Sequence, residues 1–347
     1  MPAVICGYFR SPFTPAKKGD LANTRPDDIA AEVVKGLIEK TGIDPNLIED
    51  LILGCAFPEA EQGFNLGRML SFLSELPPTV AGVTVNRFCG SSMQAIHDAA
   101  GRIAMGSGDA FIAGGVESMT RIPMSGFNPM PNPRLAAEMP DAFTNMGLTA
   151  ENLATIYEIK RESQEKFAIE SHLRAANADF TDVIIPITTA DGIVSTDGCI
   201  RPTSNASSLA RLGPVFKADG SVTAGTSSPL TDGAAFVLIC SKKFAIAQGL
   251  KILASIESTA VSGCSPEIMG IGPVAASQKA LARAGVSLKD IDVIELNEAF
   301  SAQSLAVIEE LGLDTSKVNI DGGALALGHP LGASGARIVG RAVTILT

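Results

Sequence analysis

Short β-prone runs alternate with longer alanine-rich segments along this chain, and the alternation strongly limits the folds open to it. The strand-like runs of the first half are AVICGYF (3–9), DLILGCAF (50–57), GVTVNRF (82–88) and DAFIAGGV (109–116). Two helical patterns lie among them, PDDIAAEVVKGLIEKTG and GSSMQAIHDAAGRIAMG, and each ends at a glycine. Such an alternation is typical of an α/β fold, in which helices cover a mainly parallel sheet.

The same order of elements returns after residue 250. IEDLILGCAFPEA resembles KDIDVIELNEAFSAQ, and TVNRFCGSSMQAIHDAAGRI resembles NIDGGALALGHPLGASGARIV. The predicted elements here are the strands KILASIESTAV, DVIEL and KVNIDGG and the helices GPVAASQKALARAG, AFSAQSLAVIEELG and GASGARIVGRAVTIL. We infer an internal duplication, so that the two halves share one topology.

The segment between the halves has a different composition. Residues 120–215 are richer in Pro, Asn, Ser and Met, which predicts a long loop region with a helix near 150–177. The apolar run GAAFVLICSKKF (233–244) then completes the first half as a buried strand. The predicted organisation is an N-terminal half (1–119 and 216–247), the inserted loop region (120–215) and a C-terminal half (248–347).

Composition and charge argue against several classes of function. Asp and Glu number 37 against 27 Lys and Arg, and the net charge of −10 repels nucleic acid. No run reaches the roughly 18 apolar residues of a membrane span, and residues 1–13 lack a signal-peptide pattern. The six cysteines have no CxxC spacing, so neither a metal site nor a disulfide framework is predicted. Reduced thiols of this kind predict a cytoplasmic protein.

Cys89 is the first candidate for chemistry. It lies in VNRFCGSSMQ, where an apolar strand turns into a helix. The helix dipole and unpaired backbone N–H groups at such a junction predict a lowered thiol pKa, and Gly90 allows a substrate carbonyl to approach closely. The alternative is that Cys89 is a small buried residue, like Cys6 and Cys55 in their apolar strands.

His329 and Asn297 are two further candidates. His329 lies in the small-residue loop GGALALGHPLGASGAR, where Pro330 favours an extended or turn conformation that holds the imidazole rigidly. A hydrogen-bonded histidine in a capped turn is the structural alternative. Asn297 follows the apolar strand DVIEL, at the strand end where open α/β sheets place their sites. An amide there can orient a water or stabilise an oxyanion.

Four sequence blocks together carry a family resemblance. VNRFCGSSMQA, KADGSVTAGTSS, NEAFSAQ and GGALALGHPLGASGARI resemble the thiolase family in order and spacing, and NRFCGSSMQA and MGLTAENLA are similar to the degradative 3-ketoacyl-CoA thiolases. The resemblance implies duplicated βαβαβαββ halves with mixed, mainly parallel sheets layered with helices. It also implies acyl-CoA and coenzyme A (CoA) as partners, with CoA as a substrate and no cofactor or metal.

The resemblance implies a role for each motif residue. Cys89 would attack the 3-keto carbon and carry the acyl group as a thioester, while His329 accepts its proton and Asn297 holds a water near the thioester oxygen. Contacts with acyl-CoA are implied for Ser228, Arg201, Phe216, Met146 and Phe300. The implied reaction is the reversible thiolytic cleavage of 3-ketoacyl-CoA to acyl-CoA and acetyl-CoA.

The family also carries a CxG segment whose cysteine protonates the departing acetyl-CoA enolate, and no segment up to Thr347 matches it. In the first half the helix after Cys89 is followed by two more strands, whereas the matching helix of the second half reaches Thr347. By analogy, about 30 to 40 residues with two strands are expected to be missing, which would leave the C-terminal half incomplete.

Two other functions stay open at this point. An acetoacetyl-CoA thiolase differs only in acyl-chain preference, and a non-catalytic thiolase-like protein binds acyl-CoA without turnover. The retention of Cys89, Asn297 and His329 favours an enzyme. We further expect a homodimer or homotetramer, with the strand at 82–88 or the apolar loop IPMSGFNPMPNP at an interface. A subunit of a β-oxidation multienzyme complex is a further candidate partner.

Overall fold

A computed structural model describes residues 2–347, which form nine strands and twelve α-helices joined by turns and short 3-10 segments. The strands are β1 (Ala3–Arg10), β2 (Thr14–Pro15), β3 (Asp50–Gly54), β4 (Ala81–Val85), β5 (Ala110–Ser118), β6 (Ile187–Thr189), β7 (Gly192–Val194), β8 (Thr231–Ser241) and β9 (Ala254–Ile256). The helices are α1 (Pro26–Thr41), α2 (Leu66–Leu73), α3 (Ser91–Met105), α4 (Pro133–Glu138), α5 (Met146–Ile156), α6 (Arg161–Asn177), α7 (Ala206–Leu209), α8 (Lys242–Ala247), α9 (Gly272–Ala284), α10 (Ser301–Leu311), α11 (Ala324–Leu327) and α12 (Ser334–Leu346).

One mixed sheet contains seven of these strands, in the order β4-β3-β5-β8-β1-β9 with β2 paired to β8. β3 is parallel to β4 and β5, whereas β8 is antiparallel to β5 and β1, and β9 is antiparallel to β1. Most strands therefore point one way, and β8 and β9 point the other. The succession β1-α1-β3-α2-β4-α3-β5-β8 is the βαβαβαββ order implied for the first half, and the layered α/β fold class is confirmed.

Helices cover both faces of this sheet. α1 and α2 lie on one face, and α3 and α12 lie on the other. Successive side chains of a strand point to opposite faces, so Leu51 and Leu53 of β3 pack in the core under α1 while Ile52 packs in the core under α3. Burial on both faces explains why β5 and β8 are almost continuously apolar in sequence.

The two halves meet where α12 packs on α3. Gly335 permits the close approach, because a Cβ there would lie 2.3 Å from the backbone nitrogen of Met93. The hydroxyl of Ser92 accepts a hydrogen bond from the backbone N–H of Ala336 (2.9 Å). The starts of α3 and α12, which are matching positions of the duplication, are therefore in direct contact inside the molecule.

The second half contains less strand than the sequence predicted. KILASIESTAV forms only the short β9, and the predicted strands DVIEL and KVNIDGG are joined by a single parallel bridge between Ile294 and Val318. Two backbone hydrogen bonds make this bridge, from Ile294 to the carbonyl of Lys317 and from Asn319 to the carbonyl of Ile294. Neither segment forms a ladder with a further strand within residues 2–347, so the strand predictions there were wrong.

The inserted region contains more helix than predicted. The helix expected near 150–177 is two helices, α5 and α6, which are separated by a turn where Glu158 has a φ of 50°. The short helices α4 and α7 and the hairpin of β6 and β7 complete this region. One link between this region and the main sheet runs through Arg10 of β1, which forms a buried ion pair with Asp197 (2.7 Å).

Candidate active site

Cys89 lies in the 3-10 turn that leads directly into α3. The turn is strained, because Phe88 has a φ of 45°, in the left-handed region. The hydroxyl of Ser91 holds it by donating to the carbonyl of Phe88 (2.6 Å) and accepting from the N–H of Arg87 (2.9 Å). Asn86 Oδ1 accepts from the N–H of Phe88 (2.8 Å). The chain thus presents Cys89 at a sharp strand-to-helix turn of the nucleophile-elbow type, and we call residues 86–91 the elbow.

The surroundings of Cys89 raise the pKa of its thiol to about 12. Burial is the main cause, and the negative charge of Glu117 acts in the same direction. The lowered pKa predicted from the helix N-terminus is therefore wrong, because the cost of desolvating a thiolate in this half-buried position outweighs the helix dipole. At neutral pH Cys89 is a thiol, and it needs a base in order to attack a carbonyl.

His329 is buried in the turn between α11 and α12. Its N–H donates to Thr231 Oγ1 (3.0 Å), its Nδ1 lies 2.6 Å from Ser334 Oγ, and its Nε2 lies 3.3 Å from Asn297 Nδ2. The Ser334 hydroxyl donates to the carbonyl of Pro330 (3.1 Å), so it accepts from the N–H at Nδ1 of His329. This hydrogen-bond network assigns the proton to Nδ1 and leaves the lone pair of Nε2 facing Asn297.

The environment keeps His329 uncharged. Burial lowers the pKa of His329 to about 3, and the positive charge of Arg337 acts in the same direction. Arg337 is itself buried, and its Nη1 forms an ion pair with Glu295 Oε2 (2.7 Å). The imidazole is therefore neutral at neutral pH, which is the form that accepts a proton.

Asn297 is held by the residue that follows it. The buried carboxyl of Glu298 accepts hydrogen bonds from Ser171 Oγ (2.6 Å), Asn319 Nδ2 (2.7 Å) and the N–H of Leu325 (3.2 Å). These contacts fix the turn that carries Asn297 against His329. Asn297 Oδ1 is buried and accepts no hydrogen bond from the described residues, and a water or a substrate donor would satisfy it.

The three predicted catalytic residues lie in one region of the structure. Cys89 packs in a small apolar cluster with Ala56, Met119 and Leu331, and the elbow contacts the 3-10 turn that follows His329. Asn297, which belongs to the same C-terminal half as His329, contacts the imidazole. A protonated thiol, a neutral imidazole and a carboxamide are thus brought together by segments from both halves.

Four of the five residues predicted to contact acyl-CoA also lie together. The rings of Phe216 and Phe300 form an edge-to-face pair with centroids 5.7 Å apart. Ser228 donates its N–H to the carbonyl of the residue before Phe300 (2.9 Å). Met146 begins α5, and the adjacent Gly147 lies under the Phe216 ring, since a Cβ there would be 2.2 Å from a ring carbon.

Arg201 lies outside this cluster. Its side chain is exposed, and its backbone N–H donates to Nδ1 of His172 on α6 (3.1 Å). Burial, together with the charge of Arg201, lowers the pKa of His172 to about 4, so the ring is neutral and able to accept this bond. The structure therefore brings Ser228, Phe216 and Phe300 close to Met146 and leaves Arg201 apart.

Family models match both halves of the chain: a model of the thiolase N-terminal domain matches residues 3–243, and a model of the thiolase C-terminal domain matches residues 250–347. The chain belongs to the thiolase family. A 3-ketoacyl-CoA thiolase of Bacillus subtilis (strain 168) is 46% identical over 353 residues, covering 97% of this chain and 90% of the relative. One from Shewanella baltica (strain OS155) is 50% identical over 350 residues, with the same coverage of 97% and 90%.

A solved structure shares the fold of this thiolase. The crystal structure of human mitochondrial 3-ketoacyl-CoA thiolase in complex with CoA matches with a TM-score of 0.91 at 35% identity, covering 99% of this chain and 91% of that chain. Within residues 2–347 of this thiolase, no group of three or more His, Cys, Asp or Glu side chains is arranged to hold a metal ion. In the same residues, no helix has the length and apolar character needed to cross a bilayer.

Sequence reasoning missed three residues of this thiolase site. Ser334 lies in the same motif as His329, and its spacing after the imidazole was a local signal for a ring partner. Thr231 comes from the start of β8 and had no such signal, because only the fold brings it to His329. Glu117 is near the carboxyl end of β5, so the strand-end rule that indicated Asn297 also applies to it.

Proposed function

We propose that this thiolase cleaves 3-ketoacyl-CoA with CoA, giving acyl-CoA and acetyl-CoA in a reversible reaction. One arrangement carries the proposal: His329 is a neutral imidazole whose Nε2 lone pair faces Asn297, next to the elbow that bears the protonated thiol of Cys89. The relatives named 3-ketoacyl-CoA thiolase support this reaction over the acetoacetyl-CoA alternative.

In the first half-reaction, Nε2 of His329 takes the proton of the Cys89 thiol and Sγ attacks the C3 carbonyl carbon. The amide of Asn297, directly or through a water that it holds, donates a hydrogen bond to the oxyanion that develops. The C2–C3 bond then breaks and its electron pair leaves on C2 as the enolate of acetyl-CoA. C2 takes the proton that His329 received from Cys89, which gives acetyl-CoA and leaves the imidazole neutral for the second half-reaction. The acyl group remains on Cys89 as a thioester.

In the second half-reaction, the thiol of CoA gives its proton to His329 and attacks the thioester carbon. The tetrahedral intermediate collapses, the new acyl-CoA leaves, and Cys89 takes the proton back from His329. A thioester intermediate keeps the acyl group activated between the two steps, which is why a thiol suits this transfer better than a hydroxyl. CoA is consumed in thiolysis and released in the reverse condensation, so it is a substrate or product of the reaction and not a cofactor.

The cluster formed by Phe216, Phe300 and Met146 lines the path of the pantetheine arm and acyl chain, with Ser228 as a hydrogen-bonding partner for an amide of the arm. Apolar and aromatic walls with a few placed polar groups are typical of such sites. Arg201 binds at the nucleotide end, where its exposed guanidinium pairs with phosphate.

The chain forms a homodimer through β4. This edge strand pairs only with β3 within the described sheet, and it is partly exposed. Two exposed phenylalanines lie near this strand. Phe64 (94% exposed) precedes Asn65, which donates a hydrogen bond to Gly82 of β4, and Phe88 (59% exposed) follows the strand in sequence. Further association, to a homotetramer or with a β-oxidation multienzyme subunit, uses the loop that exposes Met124, Phe127 and Met130.

The enzyme acts in the cytoplasm. All six cysteines lie in the described part of the chain and are free thiols, and none is paired in a disulfide. Thiols of this kind, including the exposed Cys264, persist in a reducing compartment.

The test is a thiolysis assay that follows the loss of 3-keto enolate absorbance after addition of CoA. Wild-type protein should turn over, Cys89→Ser and His329→Ala should lose activity, and Cys264→Ser, which changes an exposed thiol, should retain it. Mass spectrometry after incubation with acyl-CoA should find the acyl group on the peptide containing Cys89. Turnover by Cys89→Ser, or an acyl group on another cysteine, would overturn the mechanism.

A further inference from the structure

Glu117 is a buried carboxylate near the end of β5, and it has no role in the mechanism above. Its Oε2 accepts hydrogen bonds from the N–H groups of Ala56 (2.8 Å) and Gly332 (2.9 Å). Its Oε1 accepts from the N–H of Phe57 (3.2 Å) and from Gln62 Nε2 (2.7 Å). The Cys55 thiol is a fifth donor, to Oε1 (3.7 Å). Burial raises the pKa of Glu117, but these hydrogen bonds act in the opposite direction, and five donors at two oxygens match the acceptor-only, ionised form of a carboxyl group.

The segments that Glu117 holds form the walls around Cys89. Ala56 and Leu331, the neighbour of Gly332, pack in one apolar cluster with Cys89. The ring of Phe57 lies 5.7 Å from the ring of Phe88, which precedes the thiol. One side chain therefore ties the segment after β3 to the turn after His329, on two sides of the nucleophile.

A continuous set of hydrogen bonds leads from Glu117 to the elbow. Glu117 holds the N–H of Ala56, and the carbonyl of Ala56 accepts from Asn86 Nδ2 (2.9 Å). Asn86 Oδ1 in turn accepts from the N–H of Phe88 (2.8 Å), the residue in the strained conformation. A displacement of Glu117 is therefore transmitted to the backbone that carries Cys89.

We propose that Glu117 is a positioning residue for Cys89, because its carboxylate joins the elbow to the His329 turn and places a negative charge beside the thiol. This inference rests on the proposed role of Cys89 as nucleophile. The charge of Glu117 contributes to the raised pKa of Cys89, so the resting thiol is protonated. A protonated thiol resists oxidation and alkylation until His329 takes its proton in the presence of substrate.

Two substitutions separate the charge of Glu117 from its geometry. Glu117→Gln keeps the length of the side chain, removes the charge and replaces one acceptor oxygen by a donor that faces two N–H groups. Glu117→Asp keeps the charge but withdraws it by one methylene, so the hydrogen bonds to Ala56 and Gly332 cannot all form. The readouts are the rate of Cys89 alkylation by iodoacetamide, measured by peptide mapping, and kcat and KM for thiolysis.

The Gln variant should alkylate Cys89 about tenfold faster at a fixed pH near 8, because one unit of thiol pKa changes the thiolate fraction tenfold. The Asp variant should alkylate it at a rate close to wild type. Both should lose about 10- to 100-fold in kcat, with KM for CoA little changed, because the nucleophile is misplaced rather than the binding site. A merely structural role would not speed alkylation in the Gln variant while leaving it unchanged in the Asp variant.

Asp50→Asn is the matched control. Asp50 is a buried carboxylate at the far end of β3, where it pairs with Arg102, and its loss should leave Cys89 alkylation unchanged. A Gln variant with the same Cys89 alkylation rate and the same kcat as wild type would overturn the inference. If the Gln variant does not fold, an Asp variant with the same kcat as wild type would overturn it. Turnover by Cys89→Ser would instead refute the proposed mechanism. The alkylation rates of Cys89 in the two Glu117 variants would still test the role of Glu117.

Discussion

Ser334 and His329 are joined by a short hydrogen bond, with 2.6 Å between the serine hydroxyl and Nδ1 of the ring. The ring is therefore oriented by a hydroxyl, which also donates to the carbonyl of Pro330. A hydroxyl fixes the tautomer without adding a negative charge that would raise the pKa of the imidazole. The imidazole stays neutral, and its unprotonated nitrogen faces Asn297.

Ser334→Ala should lower kcat for thiolysis by about 10- to 100-fold, as is usual when a partner that orients a functional histidine is lost. KM for CoA should change little, because Ser334 is buried behind the ring. Thr344→Ala is the control, since this hydroxyl lies on the same helix and donates only to the carbonyl of Arg341 (2.9 Å). Equal kcat for Ser334→Ala and wild type would contradict the assigned tautomer.

The rate of Cys89 acylation should be independent of pH between about 5 and about 8. The pKa of His329 is lowered to about 3 and that of Cys89 is raised to about 12, so neither group changes its charge in that interval. A lowered histidine pKa means that the active, neutral base is lost only well below the ordinary value of 6.5. Rapid-quench measurement with acyl-CoA provides the profile, and an acid limb near 6.5 would contradict it.

Arg337→Met should destabilise the protein by about 3 to 5 kcal/mol, because it leaves a buried carboxylate without its partner. Both members of the Arg337–Glu295 pair are almost inaccessible to solvent, at 1% and 3% exposure of their side chains. The double variant Arg337→Met with Glu295→Leu should recover most of that loss, since no buried charge remains. Urea unfolding measures both, and a double variant as unstable as the single one would argue against this account.

Met69→Asp should convert the homodimer to a monomer at micromolar concentration. Met69 is on α2, which packs beside β4, and a carboxylate there would be desolvated at the proposed interface. Met105→Asp is the control, because Met105 is an exposed methionine (83%) at the end of α3, away from this edge. Light scattering distinguishes the two states, and a wild-type monomer would refute the interface.

Local patterns were sufficient to predict much of the first half. Cys89 was placed correctly at a strand-to-helix turn, because apolar alternation followed by Gly90 and two serines is a signal within ten residues of sequence. The pKa of its thiol was not predictable in this way. It depends on burial and on Glu117, which only the folding of β5 beside β3 brings near the thiol.

Long-range contacts account for the other differences between the sequence predictions and the structure. The sequence indicated His329 and Asn297 separately, but their 3.3 Å contact depends on how two turns pack. The predicted strands of the second half were read from apolar alternation, yet a strand also needs a neighbour for its backbone groups. Ile294 finds such a neighbour at one position only, so its segment remains a bridge.

The contact of α12 with α3 also orders events during synthesis of the protein. The ribosome releases Cys89 and its elbow long before it has made His329, and domains begin to fold from the N-terminus during translation. A nascent first half therefore carries Cys89 without His329 beside it. Docking of Gly335 and Ala336 against the start of α3 brings the base to the thiol. On the proposed mechanism, acylation of Cys89 therefore begins only after the second half has assembled on the first.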